Sequence, residues 1–594
     1  MKNISRKAFI KQTIGIGISS SLIPLNTGLF AFGNDSADGI SQLMEKLVKG
    51  SNKNVSNLLK PENARLTTYT RQQGYDFAIL CAAYSYRSSS YFQKREVIER
   101  LKTLIEFLLS MQNADGTMDS GNLESPPDTA FVMEPLCAAA KILLDQKDKN
   151  LEEIKSLLQL FIVKAGEGLL TGGIHTPNHR WVLSSALAKI NRVYPDKRYV
   201  ARIDEWLSEG IFIDKDGHYP ERSMNYSAVE NEAFITMARL LNRDELLEPV
   251  RINLRMTYYY MEPNGDLVTF DSRRQDQYSE KSIINQYLNY RFIAIKDKDP
   301  FFAAICGLIE KLEGFENEII DKGLYYFIEE PFLQNELPIQ EKLPLNYETV
   351  FSTSSLARIR RNEMSMTIFG GVDWPLIIAS GRSISPNFFS FRKGAAILKH
   401  MRISSSFFNM GHFRSNGLEV DDGVYTLYKK LEAPYYQPLP ENLRRPDGDY
   451  DLTPSVDGRF WSKMSFEKRP VSNVKTLETK VKIKESNGEV SMEVEVIGLE
   501  GVPVTIELCF HENGILSGVE SVGDNQNNSY LPYDFGTFSS GKDRITFGPG
   551  LKKHQNIYRL DGEMYSVHFG TLRGTGQHVY LTGYTPFSHT LTFK

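Results

Sequence analysis

Apolar residues recur every three or four positions through the first part of this chain and every second position beyond about residue 350. A three-to-four period buries one stripe of a helix, and a period of two buries one face of a strand. A long run of one period followed by a long run of the other reads as two domains, one helical and one of strands. Stretches 97–109, 129–144, 154–165, 180–193, 227–241 and 245–260 carry the helical pattern, joined by loops rich in Gly, Asp, Asn and Pro. Helical hairpins in series bury their apolar faces on neighbours, as a solenoid or by closing into an α/α toroid. Residues 336–350 (ELPIQEKLPLNYETV) carry Pro338 and Pro344 and little periodicity, which predicts a linker. Beyond it, Val481 and Ile483, then Asn487-Gly488, then Met492, Val494 and Val496 predict a β-hairpin about an Asn-Gly turn. Stretches 504–510, 544–547, 565–569 and 578–582 continue the alternation. The expectation is an α+β multidomain chain, with an α/α toroid over 34–335 and an antiparallel β-sandwich over 351–594.

Residues 1–33 read as an address rather than as structure. A basic start (KNISRKAFIK) precedes a weakly apolar run that closes on Ala31 and Gly33. The segment Ser5-Arg6-Lys7-Ala8-Phe9 resembles a twin-arginine export motif with Lys7 in place of the second arginine, so the Tat and Sec routes both stay open. Gly, Ser and Pro dilute the run, which disfavours a stable membrane anchor. The expected destination is the bacterial periplasm. With 69 Lys+Arg against 73 Asp+Glu there is no basic field, which excludes a nucleic-acid partner of the electrostatic kind. The 4 Cys are far apart in apolar surroundings, without Cys/His ligand spacing, so buried thiols are expected rather than a metal site. P-loop, GxGxxG, GxSxG and HExxH motifs are absent.

Two segments carry candidate chemistry. In Thr176-Pro177-Asn178-His179-Arg180-Trp181, Thr176 and Pro177 suit the N-cap and first position of a helix. Asn178, His179 and Arg180 then fall at the helix end that favours an anion. In Asp216-Gly217-His218-Tyr219-Pro220-Glu221-Arg222-Ser223-Met224-Asn225-Tyr226, Ser227 and Glu230 have capping-box spacing, which places Tyr226 just before a helix. There Arg222 and the helix end would stabilise a phenolate, so Tyr226 is a candidate proton carrier. The bland alternatives are capping for Asn178 and His179, and half-buried aromatics for Tyr219 and Tyr226. In the second half, Arg382, Arg392, His400 and the Gly-bounded loop 411–417 with His412 could reach a substrate. Arg71 and Tyr75 could line a cleft, whereas Arg273 and Arg274 read as surface.

Taken together, Asn178-His179 and the Asp216–Tyr226 segment resemble the heparinase II/III and oligoalginate lyase group of polysaccharide lyases. Residues 125–131 are similar to another helix-opening segment of such toroids. The resemblance implies an α/α toroid followed by a β-sandwich and an acidic polysaccharide or oligosaccharide as substrate. It implies β-elimination at C4 of a uronate, giving a 4,5-unsaturated product. Asn178, His179 and Tyr226 would be catalytic, with Arg180, Trp181, Arg222, Tyr219, His412 and Arg382 around the substrate. One narrower group removes L-rhamnose from D-glucuronate in arabinogalactan, and the layout fits it. No cofactor is implied; a charge-neutralising divalent metal finds no ligand cluster. A glycoside hydrolase on the same toroid would need two flanking carboxylates, for which Asp76, Asp128, Asp214, Glu221 and Glu230 are available. A non-catalytic polysaccharide-binding protein would need only exposed aromatics. Oligomeric state is not encoded in any of these features.

Overall fold

A computed structural model describes residues 41–63, 66–67, 69–376, 381–523, 525–557 and 574–594. The expected export signal, 1–33, and the expected strand 565–569 lie outside the described residues. Among the described residues no helix is long and apolar enough to cross a membrane.

The first half is helical: α1 (Gln42–Leu58), α2 (Thr70–Ser85), α3 (Arg95–Ser110), α4 (Pro126–Leu144), α5 (Glu152–Thr171), α6 (Pro177–Val193), α7 (Lys197–Leu207), α8 (Met224–Leu241), α9 (Leu247–Tyr260), α10 (Tyr287–Asp297), α11 (Pro300–Ile309) and α12 (Leu324–Glu329). Alternate helices α2, α4, α6 and α8 pack side by side as an inner row, and α12 returns against α2 and α4. The sequence explains which helices go inside. Helix α2 is buried without interruption from Phe77 to Tyr84, and α4 is buried almost all round. Outer helices α3 and α7 bury one stripe only, through Val97, Leu101, Leu104, Ile105 and Leu108 in the first and Tyr199 and Ile203 in the second. This is the α/α toroid expected from the helical period.

Residues 336–345 carry no regular element, and the strand Asn346–Phe351 begins inside the expected linker. The alternation Tyr347, Thr349, Phe351 against the next strand supplies the reason. The second half forms a sandwich of two sheets. One has nine strands, from Asn346–Phe351 at one edge to Glu520–Val522 at the other. The second has eight, from Glu419–Asp421 to Ile515–Ser517. The expected hairpin is present: Ser486 pairs with Glu489, and Asn487 and Gly488 take φ of 52° and 84° between them.

The nine-stranded sheet is buried on both faces, but the two faces differ in chemistry. Its inner face gives Ala357, Ile359, Met366, Phe391, Met401, Ile506 and Val579 to the sandwich core. Its outer face alternates to Arg358, Thr367, Arg392, Arg402, Glu507 and His578, all buried. The toroid covers part of this polar face. Arg358 Nη1 donates to Glu262 Oε1 at 2.8 Å and Arg392 Nη2 to Asp266 Oδ2 at 3.3 Å. Tyr258 Oη donates to the Pro344 carbonyl at 2.7 Å, and Thr353 Oγ1 reaches Asp214 and Asp216, each at 2.7 Å. The four cysteines are buried and unpaired, as expected.

Candidate active site

The two candidate segments meet. Helix α6 opens after Thr176, whose extended backbone occupies the cap position. Its hydroxyl does not cap the helix; it accepts from Asn178 Nδ2 at 2.9 Å. The same Nδ2 donates to Glu221 Oε2 at 2.7 Å. Glu221 Oε1 accepts from Arg274 Nη1 at 2.7 Å. Arg274 lays its guanidinium over the Tyr226 ring at 4.6 Å, and its Nη2 reaches the phenol oxygen at 3.5 Å. Gln275 Nε2 donates to that oxygen at 3.2 Å. A continuous hydrogen-bonded chain therefore runs from Thr176 to Tyr226. Asn178 and Glu221 are buried, whereas Tyr226 is half-buried. Burial raises the Glu221 carboxyl, and the donors Asn178 and Arg274 oppose it.

His179 stands beside this chain. Burial, then the charge of Arg274, push its imidazole down to about 4, so the ring is neutral. The His175 backbone N–H donates to His179 Nδ1 at 3.3 Å, which leaves the ring proton on Nε2. On the neighbouring helix ends, Arg71 pairs with Asp128 and lies over the Phe131 ring at 4.0 Å. Burial works against the Asp128 charge, but Asn122, Ser125 and Arg71 hold its carboxyl below the usual range.

Tyr226 lies inside the first turn of α8 rather than before it. Ser223 is the cap, and its Oγ accepts from the Tyr226 backbone N–H at 3.1 Å. Ser223 in turn donates to the buried Asp276 at 2.8 Å. Glu230 does not complete a capping box: its carboxyl is fully buried without a hydrogen-bond partner, and burial drives it well above the usual range.

The remaining candidates are engaged elsewhere. Trp181 is in the toroid core, its ring 4.9 Å from Phe234. Tyr219 is buried and donates to Asn231 Oδ1 at 2.9 Å. Arg180 lies over Trp181 at 4.6 Å and pairs with Glu209 at 2.8 Å. Arg222 takes a left-handed φ of 50°, which turns it to the sandwich, where Nη2 donates to the Thr353 carbonyl at 2.6 Å. Arg382 Nη2 donates to the carbonyls of Asp373 and Pro375, at 2.9 and 2.7 Å. His412 is buried in its loop, bridged to the strand Ala396–Ser405 at Ser404. Asn178 has no exposed surface, and its amide nitrogen is occupied twice.

Arg274 and Gln275 are the residues that sequence reasoning missed. Arg273 and Arg274 both leave the expected surface role: Arg273 makes a two-point pair with Asp373 at 2.9 and 3.0 Å, and Arg274 joins the chain between Glu221 and Tyr226. Next to Asp373, Trp374 is 40% exposed, with Lys429 Nζ 3.4 Å from its ring centre. Among the described residues, no group of three or more His, Cys, Asp or Glu is arranged to hold a metal ion.

No family model matches this sequence. No curated protein matches it either. Solved structures do match. The chondroitin AC lyase of Streptomyces coelicolor A3, in complex with chondroitin sulphate, superposes with a TM-score of 0.55 at 11% identity, covering 94% of this chain and 80% of that one. A Paenibacillus xanthan lyase superposes with a TM-score of 0.52 at 10% identity, covering 94% of this chain. The match spans only 57% of the xanthan lyase chain. At these identities the likeness is one of fold, an α/α toroid followed by a β-sandwich.

Proposed function

We propose that this chain is a polysaccharide lyase that cleaves at C4 of a uronate by β-elimination. The observation that carries the reading is the hydrogen-bonded chain that ends on the half-buried Tyr226 phenol beneath Arg274. Elimination breaks the C5–H bond, makes the C4–C5 double bond and releases O4, which takes up a proton. The C5 proton is weakly acidic because a carboxylate sits beside it, so charge developing on that carboxylate must be met by fixed donors. Arg274, aimed by Glu221, supplies that charge. Asn178 acts through Glu221 rather than on the substrate. Tyr226 takes the C5 proton, and its oxygen is held by Gln275 and Arg274 while it does so. Neutral His179 offers Nε2–H to the carboxylate or to the departing O4.

The two lyases named above act on xanthan and on chondroitin, which supports a polysaccharide substrate for this chain. The narrower reading is removal of L-rhamnose from D-glucuronate, with export to the periplasm. Hydrolysis is less well served. Asp128 is committed to Arg71 and Asn122, Asp214 to backbone N–H groups and Thr353, and Glu230 is enclosed. The test is absorbance at about 235 nm, where the conjugated product of elimination absorbs, against alginate, heparan, pectin and rhamnose-capped arabinogalactan. A rise with any of them supports elimination and names the substrate. Reducing sugar released without a rise replaces this reading with hydrolysis.

A further inference from the structure

Arg274 and Tyr226 stack on each other, yet they come from segments about fifty residues apart. The two segments run side by side. The Arg273 backbone N–H donates to the Glu221 carbonyl at 2.9 Å, and Arg273 Nη1 to the Pro220 carbonyl at 3.1 Å. A finer device places the stacked residues themselves. The carboxyl of Asp276 is 3% exposed and receives a buried serine hydroxyl on each of its oxygens. Ser223 Oγ donates to Oδ2 at 2.8 Å, and Ser272 Oγ donates to Oδ1. Each serine oxygen accepts one backbone N–H in turn, that of Tyr226 on Ser223 and that of Arg274 on Ser272, both at 3.1 Å. The Asn225 N–H adds a bond to Oδ2 at 3.4 Å. One carboxylate thus reaches, through two matching bridges, the backbones of the two residues whose side chains stack.

The arrangement calls for a carboxylate at this position. Its partners are hydroxyls and a backbone N–H, and among the described residues none is a cation. The side chain is therefore committed to placing backbone rather than to an ion pair. Hydrogen bonds are directional, so two of them on one rigid carboxylate fix two loops relative to each other. An amide in the same place has one acceptor oxygen and one N–H₂ group. It can receive one hydroxyl and turns a donor towards the other. The Ser223 bridge also caps α8, so it serves the helix as well. The Ser272 bridge caps no helix and serves Arg274 alone.

We propose that Asp276 is a positioning residue, which holds the Arg274 guanidinium over the Tyr226 ring and so sets the rate of elimination without touching the substrate. The inference rests on the elimination proposed above and names the residue that aligns its two groups. A misplacement of about 1 Å at a reacting centre can cost on the order of 10²-fold in rate.

The test measures kcat, KM and the urea midpoint of the full chain, with a crystal structure of each variant. Asp276→Asn should lower kcat by about 10- to 100-fold while KM stays near that of the wild type. In its crystal structure the Arg274 guanidinium should stand more than about 6 Å from the Tyr226 ring centre. Ser272→Ala, which touches only the Arg274 bridge, should lower kcat several-fold at an unchanged urea midpoint, and serves if Asp276→Asn does not fold. Asp276→Asn added to Arg274→Lys should lower kcat no further, because the alignment is already lost. Asp299 caps α11 by accepting from the Phe301 and Phe302 N–H groups. Asp299→Ala should lower the urea midpoint and leave kcat unchanged, which separates lost stability from lost alignment. Wild-type kcat in folded Asp276→Asn overturns the proposal, and so does an Arg274 that has not moved. If no uronate polymer gives a rise with the wild type, elimination falls, and the crystal structures still decide: a displaced Arg274 supports the positioning role and an unmoved one overturns it.

Discussion

Helices α6 and α8 each carry an ionic network at both ends, and the two networks are built differently. At their N-terminal ends Asn178, Glu221, Arg274 and Tyr226 form a line that is buried at one end and open at the other. About 16 Å along α6, at 1.5 Å per residue, Lys189 is buried against Glu134 of α4. Glu329 accepts there from Arg192 at 2.6 Å and Arg239 at 3.3 Å, and Glu232 shares a hydrogen bond with Glu134. This second network closes on itself. A closed set of buried charges fixes helix positions and has nothing to deliver. An open line that ends on a reachable phenol holds a reactive group in place. The contrast is between cohesion at one end of the ring and, in the proposed function, chemistry at the other.

Substitutions can break or sharpen that contrast. The largest expected effect is from Tyr226→Phe, which should lower turnover by about 10²–10⁴-fold, read as the rise in absorbance, with the urea midpoint unchanged. Next comes Lys189→Met, which strands Glu134 and should cost about 3–5 kcal/mol of stability by urea unfolding. The folded Lys189→Met protein should keep its specific activity. A loss of turnover at full stability there would dissolve the distinction. Arg274→Lys keeps the charge but not the fork that spans Glu221 and Tyr226. It should lower kcat by about 10-fold or more, while the melting temperature moves little.

Two pH effects are smaller and separate the networks further. Burial and the neighbouring Glu134 push the Glu232 carboxyl up to about 8. An unfolded Glu titrates near 4.3, so the native state holds a proton that the unfolded chain has lost. Stability should therefore be full below that value and decline as pH rises towards about 8. Glu232→Gln should flatten the decline, as followed by thermal melting from pH 5 to 9. His179, lowered to about 4, should stay neutral far into acid. Its contribution to stability is present above the unfolded value of about 6.5 and is lost as pH falls towards the folded one. If the neutral ring is the working form, kcat/KM should show no loss near pH 6.5 and fall only as pH approaches 4.

The fold was legible because periodicity is local. The Asn487-Gly488 hairpin and the buried run of α2 could be read from adjacent residues. Tyr226 was legible as a member of a motif, although its cap was placed four residues late, because Ser223 and Ser227 both offer a hydroxyl and only the tertiary bond to Asp276 chooses Ser223. Arg274 was not legible. Nothing in Asp271-Ser272-Arg273-Arg274 says that one arginine will reach across to Asp373 and the next turn over the Tyr226 ring. Trp181 and Tyr219 show the same limit in reverse: they sit beside the motif in sequence and face the core in space.

The outer face of the nine-stranded sheet has one more consequence. Two apolar surfaces can slide over each other at little cost, because their attraction has no direction. Here the toroid is fixed to the sandwich by directional bonds, Arg358 to Glu262, Arg273 to Asp373 and Thr353 to Asp214 and Asp216. A displacement of one bond length would break several of them at once. The joint also has an apolar part, in which Phe351, Leu356 and Phe369 join the toroid core, but the polar bonds set its register. Arg274 follows Arg273 directly, so the bond to Asp373 that holds the toroid to the sandwich also fixes the backbone from which Arg274 reaches Glu221 and Tyr226.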